Sequence, residues 1–263
     1  MIEEIITLEK RDGLAWLTFN RPEVRNAFNE AMYLRFFALC EEINQDRSVK
    51  VLILSGAGGK GFGAGGDIAA MRQQLSQGIE GFLNRPKYSE QVLDTLDTMR
   101  VPTIAAVAGP ATGGGAALAL SCDLRIGSPS ARFGFPIARS VGNCLGMRLY
   151  ARLLASMGRS RVMDMIFTAR LIGAAEAHTI GILNYLTPDE ESLIPGAEEL
   201  ARKVAEHAPL TLRATRESLR RIESQLVLEG DNDDLVRWCI TSRDFKEGVA
   251  AFLEKRKPQW VGE

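Results

Sequence analysis

The sequence predicts an α/β protein with a helical C-terminal region, and three observations support this prediction. Residues 49–55 and 103–109 are short, continuous apolar runs of the kind found in buried strands. Each run is followed by a glycine-rich turn and then by a helical pattern, as in folds that alternate strands with helices. From about residue 145 onward, nearly every segment has helical spacing. We therefore expect an α/β core of about 190 residues with a helical extension.

The first predicted elements are a β-hairpin and a helix. Residues 3–8 and 14–19 are rich in β-branched and aromatic residues, and the Asp-Gly pair between them is typical of a hairpin turn. Asn29 is a suitable N-cap for the helix that follows. The apolar residues of this helix recur at helical spacing: Met32, Phe36, Phe37, Leu39, Cys40 and Ile43.

The later elements follow the same alternation. After the first buried strand, a glycine-rich segment occupies 56–66, and a helix begins at Asp67. Residues 79–100 are polar and helical, and residues 123–136, after the second buried strand, have the pattern of short strands and turns. The helices expected beyond them, separated by Gly or Pro, are 145–156, 159–167, 174–180, 192–207, 211–226 and 231–254.

Composition excludes several classes of protein. The 263 residues carry a formal net charge of −1, so no broad basic surface is available for nucleic acid. The acidic start has no long apolar segment, and no apolar run approaches the roughly 20 residues needed to span a membrane. Four cysteines without metal-ligand spacing indicate a reducing compartment, and we expect a cytoplasmic protein without a metal site. The cysteines are Cys40, Cys122, Cys144 and Cys239.

Two glycine-rich turns carry the main functional signal. They are SGAGGKGFGAGGDI (55–68) and AGPATGGGAALAL (108–120), and each lies between a buried strand and a helix. Glycine allows unusual backbone dihedrals and close approach to a ligand, and a helix N-terminus adds unpaired N–H groups. Two such turns facing each other are able to direct one N–H each at a single oxygen. This arrangement is an oxyanion hole, in which one donor is worth about 3–4 kcal/mol.

Two other interpretations of the glycines remain open. Gly56, Gly58 and Gly61 fit the dinucleotide pattern G-x-G-x-x-G, which requires a helix starting within the glycines and an acidic residue about 20 positions later. Glu80 lies near that place but is flanked by glycines and has no strand before it. Alternatively, the glycines serve only to permit tight packing. The phosphate-binding pattern G-x-x-x-x-G-K-[ST] is absent.

The chain resembles the crotonase, or enoyl-CoA hydratase/isomerase, superfamily over nearly its whole length. The matching segments occur in the family's order: NRPEVRNAFN (20–29), GKGFGAGGDI (59–68), AVAGPATGGGAALALSCDLRI (106–126), ARFGFP (131–136) and DFKEGVAAFLEKRKPQW (244–260). The resemblance implies a spiral of ββα units with helical trimerisation elements. It also implies an acyl-CoA thioester as substrate, no cofactor besides the coenzyme A of that substrate, and a homotrimer or dimer of trimers.

The resemblance also implies roles for individual residues. The oxyanion N–H groups fall on Gly66 and Gly114. Residues 1–195 correspond to the spiral core, and 196–263 to a helical region that covers the site and makes subunit contacts. The apolar face of the last helix (Phe245, Val249, Phe252 and Leu253) covers the CoA site in the family, although ordinary helix docking explains it equally. The CoA contacts correspond to Arg25, Ala27, Ala64, Asp67 and Ile68; Asp67 is also a suitable cap for its helix.

Both carboxylates that the family's hydratases use are absent. One belongs a turn after the second glycine site, where this chain has Ala117, and the other follows the proline of FGFP, where it has Ile137. A general acid or base contributes roughly 100- to 10,000-fold in rate, so ordinary hydration is expected to be very slow. Substitutes near the acyl end of the pocket are Arg139, Asn143 and Cys144.

Structural explanations also exist for these candidates. A single cysteine is usually a small buried apolar residue, and Arg139 suits an ion pair. We expect His178 and His207 to be structural, and Asp123 and Arg132 to pair within the sheet or with helices.

The sequence leaves three candidate functions. They are an enoyl-CoA hydratase/isomerase-type enzyme with an enolate-like intermediate; another reaction on this fold, such as racemisation, decarboxylation or thioester or C–C hydrolysis; or a non-catalytic acyl-CoA binder.

Overall fold

A computed structural model describes residues 5–83, 87–225 and 232–263. The predicted positions at 3–4, 84–86 and 226–231 lie outside the described residues. The strands are β1 (Ile6–Arg11), β2 (Leu14–Phe19), β3 (Val51–Gly56), β4 (Thr103–Val107), β5 (Pro110–Thr112), β6 (Leu124–Gly127), β7 (Arg132–Gly134), β8 (Ile172–Gly173) and β9 (Tyr185–Leu186).

Helices surround these strands. They are α1 (Glu30–Gln45), α2 (Ile68–Ser76), α3 (Ile79–Leu83), α4 (Tyr88–Asp97), α5 (Gly114–Ser121), α6 (Ile137–Ser140), α7 (Met147–Phe167), α8 (Ala174–Thr179), α9 (Leu193–Ala205), α10 (Pro209–Ser224), α11 (Asp233–Thr241) and α12 (Arg243–Leu253), with a 3-10 turn at Pro22–Val24. The predicted α/β class with a helical C-terminal region is confirmed. Within the described ranges, no helix has the length and apolarity to cross a membrane.

The main sheet has the strand order β1-β2-β3-β4-β6-β9. Among the described residues of this sheet, the β1–β2 pair is antiparallel and the other pairs are parallel. Asp12 and Gly13 join these two strands with φ of 51° and 79°, so the Asp-Gly turn has the positive dihedrals that suit a tight hairpin. The central strands β3 and β4 are buried along almost their whole length because helices cover both faces, which explains their continuous apolar runs.

A second, three-stranded sheet has the order β5-β7-β8. Strand β5 pairs with β7 through Ala111 and Phe133, and Ala111 also bridges to Gly63 in the first glycine turn. The small sheet therefore fastens the two glycine turns to each other.

Apolar residues form a core on each face of the main sheet. One face packs against helices that include α1 and α5, with Phe36 and Leu118 among the buried residues. On the other face, α9 packs Ala197 and Leu200 against Ile53 of the sheet. The boundary drawn between residues 195 and 196 in the sequence lies within α9, a helix that covers the sheet.

Arg216 fastens α10 to the body of the protein. Its guanidinium donates to the carbonyl oxygens of Leu96 at 2.8 Å and Met99 at 2.6 Å, and to a carboxylate oxygen of Asp123 at 2.6 Å. Asp123 also accepts hydrogen bonds from the backbone N–H and hydroxyl of Thr103. The expected pairing of Asp123 with a helix residue is thus confirmed.

One predicted helix break is confirmed and another was missed. Gly158, with φ of 74° and ψ of 158°, is non-helical and divides α7 into two helical parts, as the predicted helices 145–156 and 159–167 require. The predicted single segment 231–254 contains two helices, and Ser242 separates them with an extended ψ of 159°. The Ser242 hydroxyl accepts a hydrogen bond from the Phe245 N–H at 3.0 Å, so a serine cap starts α12 where neither Gly nor Pro marks a break.

The last helix folds back over the middle of the chain. Helix α12 packs against α2 and α6, and Phe245 and Val249 form a small buried cluster with Phe82 and Val141. Met71 of α2 packs against the same cluster. The helices that follow the first glycine turn and FGFP are therefore both covered by α12.

Candidate active site

Asn26 anchors the loop before α1 to the first glycine turn. It is fully buried with a left-handed φ of 58°. Its amide nitrogen donates to the carbonyl oxygens of Gly61 at 2.8 Å and Ala57 at 3.2 Å, while its amide oxygen accepts from the Arg21 N–H at 2.8 Å. A buried amide with all three bonds made fixes the position of the loop.

Phe28 sets the orientation of Gly66. The Phe28 N–H donates to the Gly65 carbonyl at 2.7 Å, and the Asp67 N–H donates to the Phe28 carbonyl at 2.8 Å. In a parallel bridge of this kind, the residue between the two bonded positions directs its own N–H away from the partner strand. Gly66 is that residue; it is exposed, and a Cβ atom on it would meet only the Met71 methyl group, at 4.0 Å.

The two glycine turns pack backbone against backbone. A Cβ atom on Gly115 would lie 2.1 Å from the carbonyl oxygen of Gly63. Gly65 has a φ of 85°, and a Cβ atom on it would lie 3.4 Å from both the Gly113 Cα and the Gly114 nitrogen. Close packing is therefore one reason for these glycines, and it places Gly114 next to the residue that precedes Gly66.

Helix α5 begins in the second turn. Gly113 is its N-cap with a φ of 52°, and Gly114 is its first residue and half-buried. The first N–H groups of a helix have no partner within it and carry the positive end of the helix dipole. The rest of α5, from Gly115 to Ser121, is buried, so this end of the helix is its accessible part.

Ala117 and Ile137 lie in apolar surroundings. Ala117 is one turn into α5 and 2 % exposed, and Ile137 is the first residue of α6 and 8 % exposed. Both belong to the main hydrophobic cluster. Neither side chain is able to transfer a proton.

The three polar residues near α6 differ in their environments. Arg139 is exposed on α6. Asn143, in the following loop, has a buried amide oxygen with no hydrogen-bond partner among the described residues. The Cys144 sulfur lies 3.9 Å from the Tyr150 hydroxyl and 3.7 Å from the Asn232 amide nitrogen. Of these residues, Asn143 has an acceptor left to bind a further polar group.

Residues 25–28 and 64–68, which hold the expected CoA contacts, lie side by side. The Ala64 N–H donates to the Arg25 carbonyl at 3.0 Å, and the Arg21 guanidinium donates to the Ala27 carbonyl at 2.8 Å and the Asp67 carboxylate at 3.2 Å. Ile68 follows as the first residue of α2. Hydrogen bonds thus hold these two segments, which are far apart in the sequence, against each other.

Asp67 caps helix α2. One carboxylate oxygen accepts from the N–H groups of Ala69 at 3.1 Å and Ala70 at 3.2 Å, and the other is bound by Arg21. The capping role considered from the sequence is confirmed.

His178 and Glu80, two further residues considered from the sequence, lie outside the two glycine turns. The Nδ1 atom of His178, in α8, lies 3.2 Å from the carbonyl oxygen of Leu183, which follows that helix. Glu80 forms an ion pair with Arg237 of α11. The helix after the first glycine turn begins only at Ile68, so the dinucleotide interpretation, which needs a helix starting within the glycines, is wrong.

A cavity of about 520 Å³ lies at the ends of β3 and β4, bordered by Ser55, Gly58, Ser130, Glu190 and α9. It does not include Gly66 or Gly114. The backbone N–H and hydroxyl of Ser130 both donate to Glu190 at 2.9 Å, so these two polar residues of the cavity bond to each other.

Sequence reasoning missed Tyr33 and Met71. Tyr33 projects from α1, and its hydroxyl lies 3.0 Å from the position a Cβ atom on Gly114 would take. Met71 lies beside Gly66. Helical spacing identified the face of α1 that packs inward, but it carries no information about which distant turn that face meets.

The fold and the paired glycine turns define a protein of the crotonase superfamily. The family Enoyl-CoA hydratase/isomerase matches residues 9–263. The chain therefore belongs to the enoyl-CoA hydratase/isomerase family, as the sequence segments indicated.

Relatives in this family carry out several reactions. A crotonyl-CoA hydratase from Syntrophomonas wolfei is 34% identical over 266 residues, covering 99% of each chain. A 1,2-epoxyphenylacetyl-CoA isomerase from Escherichia coli is 32% identical over 273 residues, covering 98% of this chain and 99% of its own. The crystal structure of a methylmalonyl-CoA decarboxylase in complex with 2-nitronate-propionyl-CoA has a TM-score of 0.88 at 26% identity and covers 99% of each chain.

Proposed function

We propose that this protein binds an acyl-CoA thioester and polarises its carbonyl with the N–H groups of Gly66 and Gly114. The observation that carries the proposal is the backbone contact of the two glycine turns, which brings Gly114 beside Gly65. Phe28 turns the Gly66 N–H outward, and α5 presents the Gly114 N–H at its positive end. Two such donors stabilise negative charge on a thioester oxygen, and so an enolate-like intermediate.

The CoA part of the substrate would lie along Arg25, Ala27, Ala64, Asp67 and Ile68. This surface adjoins Gly66, because Asp67 and Ile68 follow it directly in the chain. Backbone atoms from two loops give the surface its fixed shape. Coenzyme A is thus part of the substrate, and the proposed chemistry needs no other cofactor.

Plain hydration is a poor fit to this site. It requires a base for water and a proton for the α-carbon, and Ala117 and Ile137 provide neither. Each missing group costs roughly 100- to 10,000-fold in rate. Asn143, with its unpartnered buried oxygen, is suited to orient a water molecule or substrate group. Arg139 on α6 and Cys144 on the loop after it are further candidates.

Decarboxylation of a malonyl-type CoA thioester is a second candidate reaction. Loss of CO₂ breaks a C–C bond and leaves its electron pair on the α-carbon, so the enolate forms without a catalytic base. Water then supplies the α-proton. The TM-score of 0.88 to a methylmalonyl-CoA decarboxylase favours this candidate. Exposed Arg139 would pair with the substrate carboxylate before it leaves.

We also propose a cytoplasmic homotrimer or dimer of trimers, with 196–263 making subunit contacts. Apolar side chains on α10 and α11 support this assembly, because they are unusually exposed for their size: Leu210 is 78 %, Ile222 62 % and Trp238 70 % exposed. Sedimentation of the purified protein tests it, and a monomer at micromolar concentration would contradict it.

The two N–H donors are tested with a matched pair of variants at one position. Gly66→Pro removes the N–H, whereas Gly66→Ala retains it, and the space beside Gly66 admits a methyl group. With acyl-CoA in D₂O, exchange of the α-proton through buffer base reports enolate formation and does not require Ala117 or Ile137 to accept the proton. We expect Gly66→Pro to slow this exchange by about 100- to 1,000-fold and Gly66→Ala to change it little.

Ligand chemistry provides a test that does not depend on variants. A CoA thioether of the same chain length lacks the carbonyl oxygen and should bind more weakly than the thioester. Equal binding of both compounds would contradict the role of the two N–H groups. Binding of thioesters without exchange or turnover of any acyl group would instead support a non-catalytic acyl-CoA binder.

A further inference from the structure

Helix α4 carries a glutamate beside the loop that joins α6 to α7. The Oε1 atom of Glu90 lies 3.1 Å from the position that a Cβ atom on Gly146 would take. Gly146 ends the loop that contains Asn143, and it is the N-cap of α7. Glu90 is half-buried, so part of its side chain remains accessible to a ligand.

Two other acidic residues on this face of α4, Asp94 and Asp97, are paired with arginines of α7. They follow Glu90 by four and seven positions, which places all three on one side of the helix. Arg148 donates to Asp94 at 2.6 Å and to Asp97 at 3.3 Å. Arg152 also donates to Asp97, at 2.8 Å. Among the described residues, by contrast, no hydrogen bond or ion pair holds the Glu90 carboxylate.

A capping role does not account for Glu90. A carboxylate that caps a helix accepts a hydrogen bond from a backbone N–H of the first turn. Asp67 does so at the start of α2, where it accepts from two N–H groups at 3.1 and 3.2 Å. None of the described N–H groups at the start of α7 donates to Glu90, although its carboxylate lies beside Gly146. Its oxygens therefore remain available as acceptors.

Helix α4 also reaches the second glycine turn. It packs against α5, whose first residue is Gly114. Two positions before Glu90, Tyr88 stacks on Tyr33, with 5.3 Å between ring centroids and 12° between the ring planes. The Tyr33 hydroxyl in turn lies next to Gly114. One helix thus links the turn that holds a proposed thioester donor to the loop that holds Asn143.

We propose that Glu90 is the general base that moves the α-proton of the bound acyl-CoA, a role that rests on the proposed function of Gly66 and Gly114. The carboxylate takes a proton from the α-carbon: the C–H bond breaks, an O–H bond forms on the glutamate, and the electron pair passes into the enolate. The proton then returns to the α-carbon or to another carbon of the acyl chain. Glu90 ends as a carboxylate, so the step needs no co-reactant.

A single base suits acyl-CoA reactions that only relocate a proton. Examples are inversion at the α-carbon and movement of a β,γ double bond into conjugation with the thioester. Hydration also requires a group that activates water, which neither Ala117 nor Ile137 provides. Glu90 therefore favours isomerisation or racemisation as the reaction of this site and does not restore hydration.

The experiment measures exchange of the α-proton of 3-butenoyl-CoA in D₂O at several buffer concentrations. Extrapolation to zero buffer gives the rate that the protein's own base supplies, and the slope gives the rate through buffer base. We expect Glu90→Gln to lower the extrapolated rate at least about 100-fold and to keep the slope. Asp94→Asn, one turn further along the same helix face, is the matched control and should alter neither quantity.

A second variant separates a catalytic role from a structural one. Glu90→Ala leaves a space at the carboxylate position, so formate or acetate should restore part of the lost rate, whereas chloride at equal ionic strength should not. If Glu90→Gln does not fold, this rescue decides the question. An unchanged extrapolated rate in the folded Glu90→Gln variant, no rescue of Glu90→Ala, or a wild-type rate of zero at zero buffer would overturn the role of Glu90.

The buffer slope tests the proposed function separately. Gly66→Pro should lower the slope as well as the extrapolated rate, because both routes form the enolate. A slope that depends on Gly66 together with a wild-type rate of zero at zero buffer would reject Glu90 and keep the two N–H donors. A slope that is insensitive to Gly66→Pro would overturn both proposals.

Discussion

The Tyr33 hydroxyl lies 3.0 Å from the position that a Cβ atom on Gly114 would take. The Tyr33 ring is held there by stacking on Tyr88, at 5.3 Å between ring centroids, and by contact with Phe28 at 5.4 Å. A contact of 3.0 Å is too short for a real Cβ atom unless the phenol moves. Packing therefore favours glycine at position 114, independently of any role for its N–H.

We predict that Gly114→Ala destabilises the protein by about 1–3 kcal/mol through overpacking. Tyr33→Phe removes the hydroxyl oxygen that the new methyl group would contact. The double variant should therefore recover much of the loss, and urea unfolding of the wild type, both single variants and the double variant gives the coupling energy. Additive effects would show that Tyr33 is not the obstacle.

Gly115→Ala should be far more damaging than Gly66→Ala. The new methyl group at 115 would lie 2.1 Å from the backbone oxygen of Gly63, which cannot move as a side chain can. Gly66 has free space, with the nearest atom at 4.0 Å. We expect Gly115→Ala to cost more than about 3 kcal/mol or to prevent folding, and Gly66→Ala to stay within about 0.5 kcal/mol. Comparable urea midpoints for the two variants would contradict the backbone contact.

Sequence patterns predicted the helix caps and the two glycine turns of the candidate site, but they did not predict the contacts between residues far apart in the chain. Asn29 and Asp67 were identifiable as helix caps because a cap bonds to residues two or three positions away. The two glycine turns were identifiable because each follows a buried strand. The contact of Tyr33 with Gly114, by contrast, depends on how α1 packs across the fold. No sequence spacing records such a contact.

The contact between Asn232 and Leu145 shows the same limit. The Asn232 amide donates to the Leu145 carbonyl at 2.9 Å because α11 packs against the loop before α7, and no spacing in the sequence records that packing. The break at Ser242 escaped the pattern because a serine cap, unlike Gly or Pro, also occurs inside helices.

Arg216→Lys should destabilise the protein although it keeps the charge. A lysine ammonium cannot reach Leu96, Met99 and Asp123 together, as the planar guanidinium does. The loss leaves the partly buried Asp123 with the hydrogen bonds from Thr103 but without its guanidinium partner, for which we expect about 1–3 kcal/mol. Arg221→Lys is the control, because that side chain is 74 % exposed and its ion pair with Glu217 should contribute little. Thermal unfolding of both variants at neutral pH makes the comparison.

Glu247 should make stability depend on pH below about 4.5. Hydrogen bonds from the Arg256 guanidinium and the Gln259 N–H lower its pKa to about 2. Because the folded pKa lies below the unfolded one, the stabilisation is complete above the unfolded pKa and is lost as pH falls toward about 2. Glu247→Gln should thus lower Tm at pH 7, and its difference from the wild type should shrink as pH falls from about 4.5 through about 2. A difference that is constant with pH would show that the charge is not responsible.

Restoring carboxylates should create hydration activity that the wild type lacks. We expect the wild-type protein to hydrate crotonyl-CoA at a rate near background, because Ala117 and Ile137 cannot transfer protons. If Gly66 and Gly114 hold the thioester, the double change Ala117→Glu and Ile137→Glu should raise kcat/KM by at least about 100-fold. Ala117→Gln with Ile137→Gln is the matched control, since it has nearly the same shape without an acid. Both pairs bury polar groups, so circular dichroism must first show that each variant is folded. Rapid hydration by the wild type, with no gain from the glutamates, would mean that another residue near the glycine turns moves the proton.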